Sequence, residues 1–111
     1  LIWVQAKIEE CLVGWATFAT EPEDADARYM NLLIVDPKFQ GLGVGKSLVF
    51  SLKNLGIHPN LQRINLFVRK VNQRGYEFYD HLGFTKNLNY QRTDNHVQMK
   101  FLEALTWEAS L

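Results

Sequence analysis

Val35-Asp36-Pro37-Lys38-Phe39-Gln40-Gly41-Leu42-Gly43-Val44-Gly45-Lys46 joins the end of an apolar run, a proline stop and three alternating glycines. Upstream, residues 29–35 read as a strand halted at Asp36-Pro37, because proline pushes its predecessor out of helical space. Downstream, Val44, Leu48, Val49, Leu52 and Leu55 recur at helical spacing, and Gly56 stands where a C-terminal cap belongs. The stretch therefore predicts a strand, a glycine-rich loop and a helix. Glycines there let the backbone approach a ligand closely and leave its N–H groups uncovered. The first turn of the helix adds unpaired donors and a positive dipole end, so an anionic phosphate is the natural ligand. Lys46 falls in that first turn, where a cation opposes the dipole unless an anion is bound.

Further out, residues 1–8 and 12–20 read as two strands around a turn at Glu9-Glu10-Cys11, and residues 21–27 as a polar link. Residues 63–69 alternate Ile64, Leu66 and Val68 on one face. Asn72 is a good N-cap for a second helix reaching Leu82, closed by Gly83. Residues 84–93 and 96–102 flank a hairpin turn at Asp94-Asn95, and residues 103–111 form a tail. The predicted order is β-β-β-α-β-α-β-β, an α/β arrangement with antiparallel hairpins at both ends.

A chain of 111 residues, 47% hydrophobic, is expected to form one domain with a real core, here residues 1–102. No apolar run approaches the ~20 residues needed to cross a bilayer. The single Cys11 excludes an internal disulfide and a multi-cysteine metal site, and three scattered histidines lack ligand spacing, so no metal is expected. A reducing, cytoplasmic setting is the plain expectation. The start at Leu1, inside a strand and without Met, suggests a piece of something longer.

Formal net charge is zero, yet Glu21-Pro22-Glu23-Asp24-Ala25-Asp26 is acidic, whereas residues 38–74 contain seven basic residues and no acid. A one-signed stretch attracts polyanions; charge alone favours a solvated surface, and the glycine loop inside the stretch tips the balance toward an anionic ligand. Nucleic-acid binding would need exposed interleaved aromatics, and Phe50 and Phe67 fall in elements expected to pack. That reading ranks lowest.

Spacing separates the loop from two familiar phosphate cradles. A Walker A loop needs a glycine at position 40, which is Gln40. A dinucleotide fingerprint begun at Gly41 and Gly43 needs a glycine at 46, which is Lys46. The pattern that fits is Gln/Arg-x-x-Gly-x-Gly, filled by Gln40, Gly43 and Gly45. With Leu33-Ile34-Val35-Asp36-Pro37 before it, the stretch through Ser47-Leu48 resembles the acetyl-CoA motif of the GNAT superfamily. Asn72-Gln73-Arg74-Gly75-Tyr76-Glu77-Phe78-Tyr79-Asp80-His81-Leu82-Gly83-Phe84 is similar to its second motif, with Gly75 in place of the usual Ala.

The resemblance covers residues 1–102 and implies a mixed, mostly antiparallel sheet with two central parallel strands that splay apart. By the same resemblance, the family's first strand and early helices are expected to be missing from the sequence that starts at Leu1. By resemblance, the backbone of Leu33, Ile34 and Val35 holds the pantetheine arm, and Gln40, Gly41, Leu42, Gly43, Val44, Gly45, Lys46 and Ser47 hold the pyrophosphate. Asn72 steadies the cofactor. Tyr79, two turns along the same helix, is the expected general acid for the CoA thiolate and also contacts the cofactor. The implied activity is acetyl transfer from acetyl-CoA to a primary amine of a small molecule or protein. The implied partners are those two substrates, with no nucleic acid and no membrane, and a homodimer is compatible with the reading.

The general base has no obvious holder. Tyr29 and Phe67 occupy the two positions where relatives carry a Glu, which leaves residues 21–26, Asp94, His96 or a water relay. His58 and His81 read as surface or capping residues. Cys11, in a turn distant along the chain, gives no reason to invoke an acyl-cysteine. The alternative is a CoA-binding regulatory or catalytically weakened domain.

Overall fold

Runs of Val, Ile, Trp, Phe and Ala build β1 (Ile2–Ile8), β2 (Cys11–Thr20) and β3 (Ala27–Val35), which pair antiparallel in that order. The computed structural model describes residues 1–69, 71–86 and 96–102. The chain divides into two compact units, Leu1–Leu61 and Gln62–Leu111.

In the first unit, Ile8 pairs with Cys11 across a two-residue turn. Glu9 (φ 50°) and Glu10 (φ 69°) both sit in left-handed space, as a hairpin turn following the twist of its strands demands. The expected three-residue turn is thus one residue too long, and Cys11 is the exposed first residue of β2. Two register shifts interrupt the ladders. One leaves Val13 as the extra residue of β2, between the pairs Ala6↔Gly14 and Lys7↔Leu12. The other leaves Asn31 as the extra residue of β3, between Thr17↔Leu32 and Phe18↔Met30.

A 3-10 turn (Pro37–Phe39) follows β3, then helices α1 (Val44–Val49) and α2 (Ser51–Asn54). The single helix expected over residues 44–55 is broken at Phe50 (φ −97°, ψ 10°). The Ser51 hydroxyl donates to the Leu48 carbonyl at 2.7 Å, a back-bond that bends helices. Gly56 (φ 71°) closes the segment, its N–H donating to the Lys53 carbonyl. Phe18, Phe50, Leu48, Leu52 and Leu61 form the centre of this core.

The second unit holds β4 (Arg63–Arg69), α3 (Gln73–His81), β5 (Thr85–Lys86) and β6 (His96–Leu102). β6 lies between β4 and β5, antiparallel to both. Ile64, Leu66 and Val68 are buried and their neighbours are not, as the alternation requires. The Asn72 carboxamide oxygen caps α3 by accepting the Gly75 N–H at 2.9 Å, and Gly83 (φ 98°) ends it. The expected turn at Asp94-Asn95, the rest of the strand over residues 84–93, the tail 103–111 and Lys70 lie outside the described residues.

Candidate functional site

The glycine loop is shaped by local hydrogen bonds. Asp36 extends the β2–β3 ladder, its N–H donating to the Val13 carbonyl at 2.8 Å, while its carboxylate accepts the Lys38 N–H at 2.9 Å. Gln40 reaches back, its side-chain amide donating to the Val35 carbonyl at 3.4 Å. Gly41 (φ 84°) and Gly43 (φ 85°) then take left-handed conformations, with open space where a Cβ would stand. Both are positions where any L side chain would be strained.

Gly43 is the N-cap of α1, and no side chain caps that end. The first helical bond runs from the Ser47 N–H to the Gly43 carbonyl at 3.0 Å. The amides of Val44, Gly45 and Lys46 therefore precede any acceptor four residues back. Leu42, Lys46 and Ser47 are exposed, and Gly45 lies inside the helix. Every loop residue singled out from sequence belongs to this one turn. On β3, Leu33 and Val35 are half-buried and Ile34 is exposed.

Sequence reading missed the residue that seats the loop. A Cβ on Gly14 would stand 2.7 Å from the Ile34 carbonyl oxygen and 3.1 Å from Leu48 Cδ1. Gly14 thus lets Leu48 of α1 lie close against β2. A lone glycine inside a strand run was the available signal. Gly14→Ala is expected to destabilise the first unit by about 1–3 kcal/mol, read as a fall in urea midpoint. An unchanged midpoint would mean that α1 has room to give.

In the second unit, α3 carries Asn72 and Tyr79. Gly75 is no mere weakening of the helix: a Cβ there would stand 2.6 Å from Asn72 Nδ2 and 3.1 Å from Val68 Cγ1. The small residue makes room for the cap. Tyr79 is half-buried, edge-on to Phe78 (5.0 Å) and Phe84 (5.4 Å). Burial pushes its phenol from 10.0 up to about 12. Because the folded value is the higher one, the associated stability is complete below pH 10 and is lost as pH rises through 12. A shift of this size corresponds to about 2–3 kcal/mol. Alkaline unfolding should show that slope in the wild type and lose it in Tyr79→Phe; equal slopes would contradict it.

Tyr29 and Phe67, the positions at which the resemblance implies a Glu in relatives, are both half-buried. Residues 21–26 form a self-bonded turn in which Glu21 accepts the Asp24 N–H and the Asp24 carboxylate accepts the Asp26 N–H, each at 3.1 Å. His58 is half-buried: its backbone N–H donates to the Leu52 carbonyl and its carbonyl accepts the Leu61 N–H. Burial and then the Arg28 guanidinium lower its pKa, against a smaller opposing pull from Asp26. His81 is exposed in the last turn of α3, as expected of a capping residue. His96 is described by its backbone alone, as part of β6. Phe50 is 1% exposed and offers no surface for base stacking. Among the described residues no group of three or more His, Cys, Asp or Glu is placed to hold a metal, and no helix is long and apolar enough to cross a membrane.

The family profile described as "Acetyltransferase (GNAT) family" matches residues 1–84. No curated protein matches the sequence. Among solved structures, the chain is similar to the PaiA N-acetyltransferase of Thermoplasma acidophilum in complex with coenzyme A (18% identity over 91% of this chain, TM-score 0.76). It is also similar to the ribosomal-protein-S18-alanine N-acetyltransferase of Escherichia coli (21%, 93%, 0.72). A third is a protein assigned as a streptothricin acetyltransferase, from Bacillus anthracis, in complex with acetyl coenzyme A (21%, 92%, 0.75). The chain spans 60%, 69% and 62% of these three proteins. The likeness shows the fold, the mixed α/β arrangement expected from the two motifs.

Proposed function

This chain belongs to the acetyltransferase (GNAT) family, and on that premise we propose that it transfers acetyl from acetyl-CoA to a primary amine by direct attack. The observation that carries the reading is the glycine loop, in which Gly41 and Gly43 turn the backbone so that the amides of Val44, Gly45 and Lys46 precede the first helical bond. Such a cradle suits a pyrophosphate. Leu33, Ile34 and Val35 present the backbone that holds the pantetheine arm, and Gln40 braces the turn through Val35. Leu42, Lys46 and Ser47 line the mouth, the Lys46 ammonium adding a cation. Asn72 spends its carboxamide oxygen on the cap, which leaves Nδ2 as the donor toward the cofactor.

The amine nitrogen attacks the thioester carbon, the new N–C bond forms, and collapse breaks the C–S bond. Nitrogen loses one proton and sulfur gains one. Tyr79 is the general acid that supplies it. A phenol at about 12 stays protonated at every working pH, but an ordinary thiol ionises near ~8.5. By these values transfer to sulfur is uphill both before and after the C–S bond breaks, so the O–H is donated as the bond lengthens and is drawn on by the proton that the adduct nitrogen gives up. Tyr79 then recovers a proton, through water, from the positively charged nitrogen of the adduct, which ends as a neutral amide. With no carboxylate at position 29 or 67, the amine reacts as its free base. The exposed, unpaired Cys11 favours a reducing compartment.

The vacancy at both base positions also motivates a second reading, a domain that holds CoA and has lost efficient transfer. Release of CoA thiol with spermidine, an aminoglycoside, a peptide with a free alanine N-terminus and a lysine peptide separates the two. Amine-dependent release supports transfer. Acetyl-CoA binding without release from any of these amines would support the weakened domain instead.

A further inference from the structure

β1 is an edge strand: β2 pairs with one side of it, and among the described residues no strand pairs with the other. A free edge presents backbone N–H and C=O groups that can template a further strand, and proteins blunt such edges with proline, bulges or charges. Ile2-Trp3-Val4-Gln5-Ala6-Lys7-Ile8 has no proline, and the extra residue of the β1–β2 ladder, Val13, lies on β2. Its one charge is Lys7. Along the strand the side chains alternate. Trp3, Gln5 and Lys7 are exposed on one face, whereas Ile2 and Val4 lie on the face of their buried partners Phe18 and Ala16. Trp3 stands 61% exposed, a large apolar ring left in water.

The strand is complementary to itself. Two copies run antiparallel about a twofold axis at Gln5 would set Ile2 against Ile8, Trp3 against Lys7, Val4 against Ala6 and Gln5 against Gln5. This register pairs all seven residues of β1. A slip by one residue would oppose the exposed face of one copy to the buried face of the other. A slip by two would take Lys7 away from Trp3. In the centred register the Lys7 ammonium comes over the Trp3 ring as a cation–π contact, and its methylene stem covers part of that ring. Ile8, 40% exposed, gains an apolar partner in Ile2. Each of these contacts occurs twice.

We infer that β1 is the contact strand of a homodimer, joined edge to edge with β1 of a second copy so that Trp3 of each packs on Lys7 of the other. The pairing is isologous, so it consumes both free edges and closes at two. One strand's width makes the interface small, and a Kd of about 1–100 μM is expected. Nothing in it depends on acetyl transfer.

Sedimentation velocity of the 111-residue chain across that concentration range tests the dimer. The wild type should pass from monomer to dimer. Within one copy Trp3 and Lys7 stand roughly 13 Å apart along the strand, too far to touch, so coupling between them must cross the interface. Trp3→Lys, which opposes two ammonium groups, should weaken dimerisation by about tenfold or more. Lys7→Glu, at an exposed position where folding is not at stake, should weaken it by about as much. The double substitution sets an ammonium against a carboxylate and should return the Kd to within about threefold of the wild type. A wild type still monomeric at about 100 μM, single variants that dimerise as the wild type does, or a double variant no tighter than the single ones would overturn the proposal.

Discussion

Tyr79→Phe is expected to lower kcat by about 10²–10⁴-fold, the usual contribution of a positioned general acid, while the KM for acetyl-CoA changes less than threefold. The ring's edge contacts with Phe78 and Phe84 survive the substitution, so the packing of α3 is preserved. What is removed is one O–H from a half-buried position where water replaces it poorly. The pH profile adds a check that packing alone would not move. With the phenol at about 12, the wild type should show no falling alkaline limb below pH 10. Its kcat/KM for the amine should rise with the free-base fraction of that amine. Turnover of Tyr79→Phe equal to wild type across that range would remove Tyr79 from the chemistry.

The second large effect is expected at Gly43. Gly43→Ala forces an L residue into φ 85°, a strain of roughly 1–2 kcal/mol. It can be relieved only by rotating the amides that follow. Losing part of their charge-assisted bonding costs further, since bonds to charged groups contribute about 1.5–3 kcal/mol each. Affinity for acetyl-CoA should therefore fall about 10–100-fold, the equivalent of ~1.4–2.8 kcal/mol. Gly56→Ala is the control, because Gly56 is also left-handed at φ 71° yet lies beyond α2, outside the loop. It should lose comparable stability and keep its acetyl-CoA affinity. If both variants bind as the wild type does, the loop is not the phosphate cradle.

The elements that carry this site were readable because their signals are local. Asp36-Pro37, the alternating glycines and the apolar residues from Val44 onward each restrict the backbone within a few residues. The turn, the left-handed glycines and the start of α1 follow from them. The cap of Asn72 and the stop at Gly83 follow in the same way. The features that were not readable depend on partners distant in sequence. Nothing near Gly14 announces that Leu48 and the Ile34 carbonyl will press on it. The bulge at Asn31 exists only as a mismatch between two strands, and pattern reading of one strand does not register it. Phe50 interrupts a helix whose spacing is otherwise regular, because Ser51 turns its hydroxyl onto the Leu48 carbonyl. Gly75 reads as a weak helix residue until the Asn72 side chain is placed beside it. The general base stays unassigned for the same reason: two positions lack a carboxylate, and sequence says nothing of what stands in the acceptor's path.

The claim on which the rest depends is that the loop from Gly41 to Lys46 holds the pyrophosphate of acetyl-CoA. Calorimetric titration of the wild-type chain with acetyl-CoA and with S-acetylpantetheine, which lacks the pyrophosphate, addresses it directly. Acetyl-CoA should bind at least about 100-fold tighter than S-acetylpantetheine, and Gly43→Ala should shrink that difference by about 10–100-fold while leaving S-acetylpantetheine binding unchanged. Equal affinity for the two ligands in the wild type would contradict it.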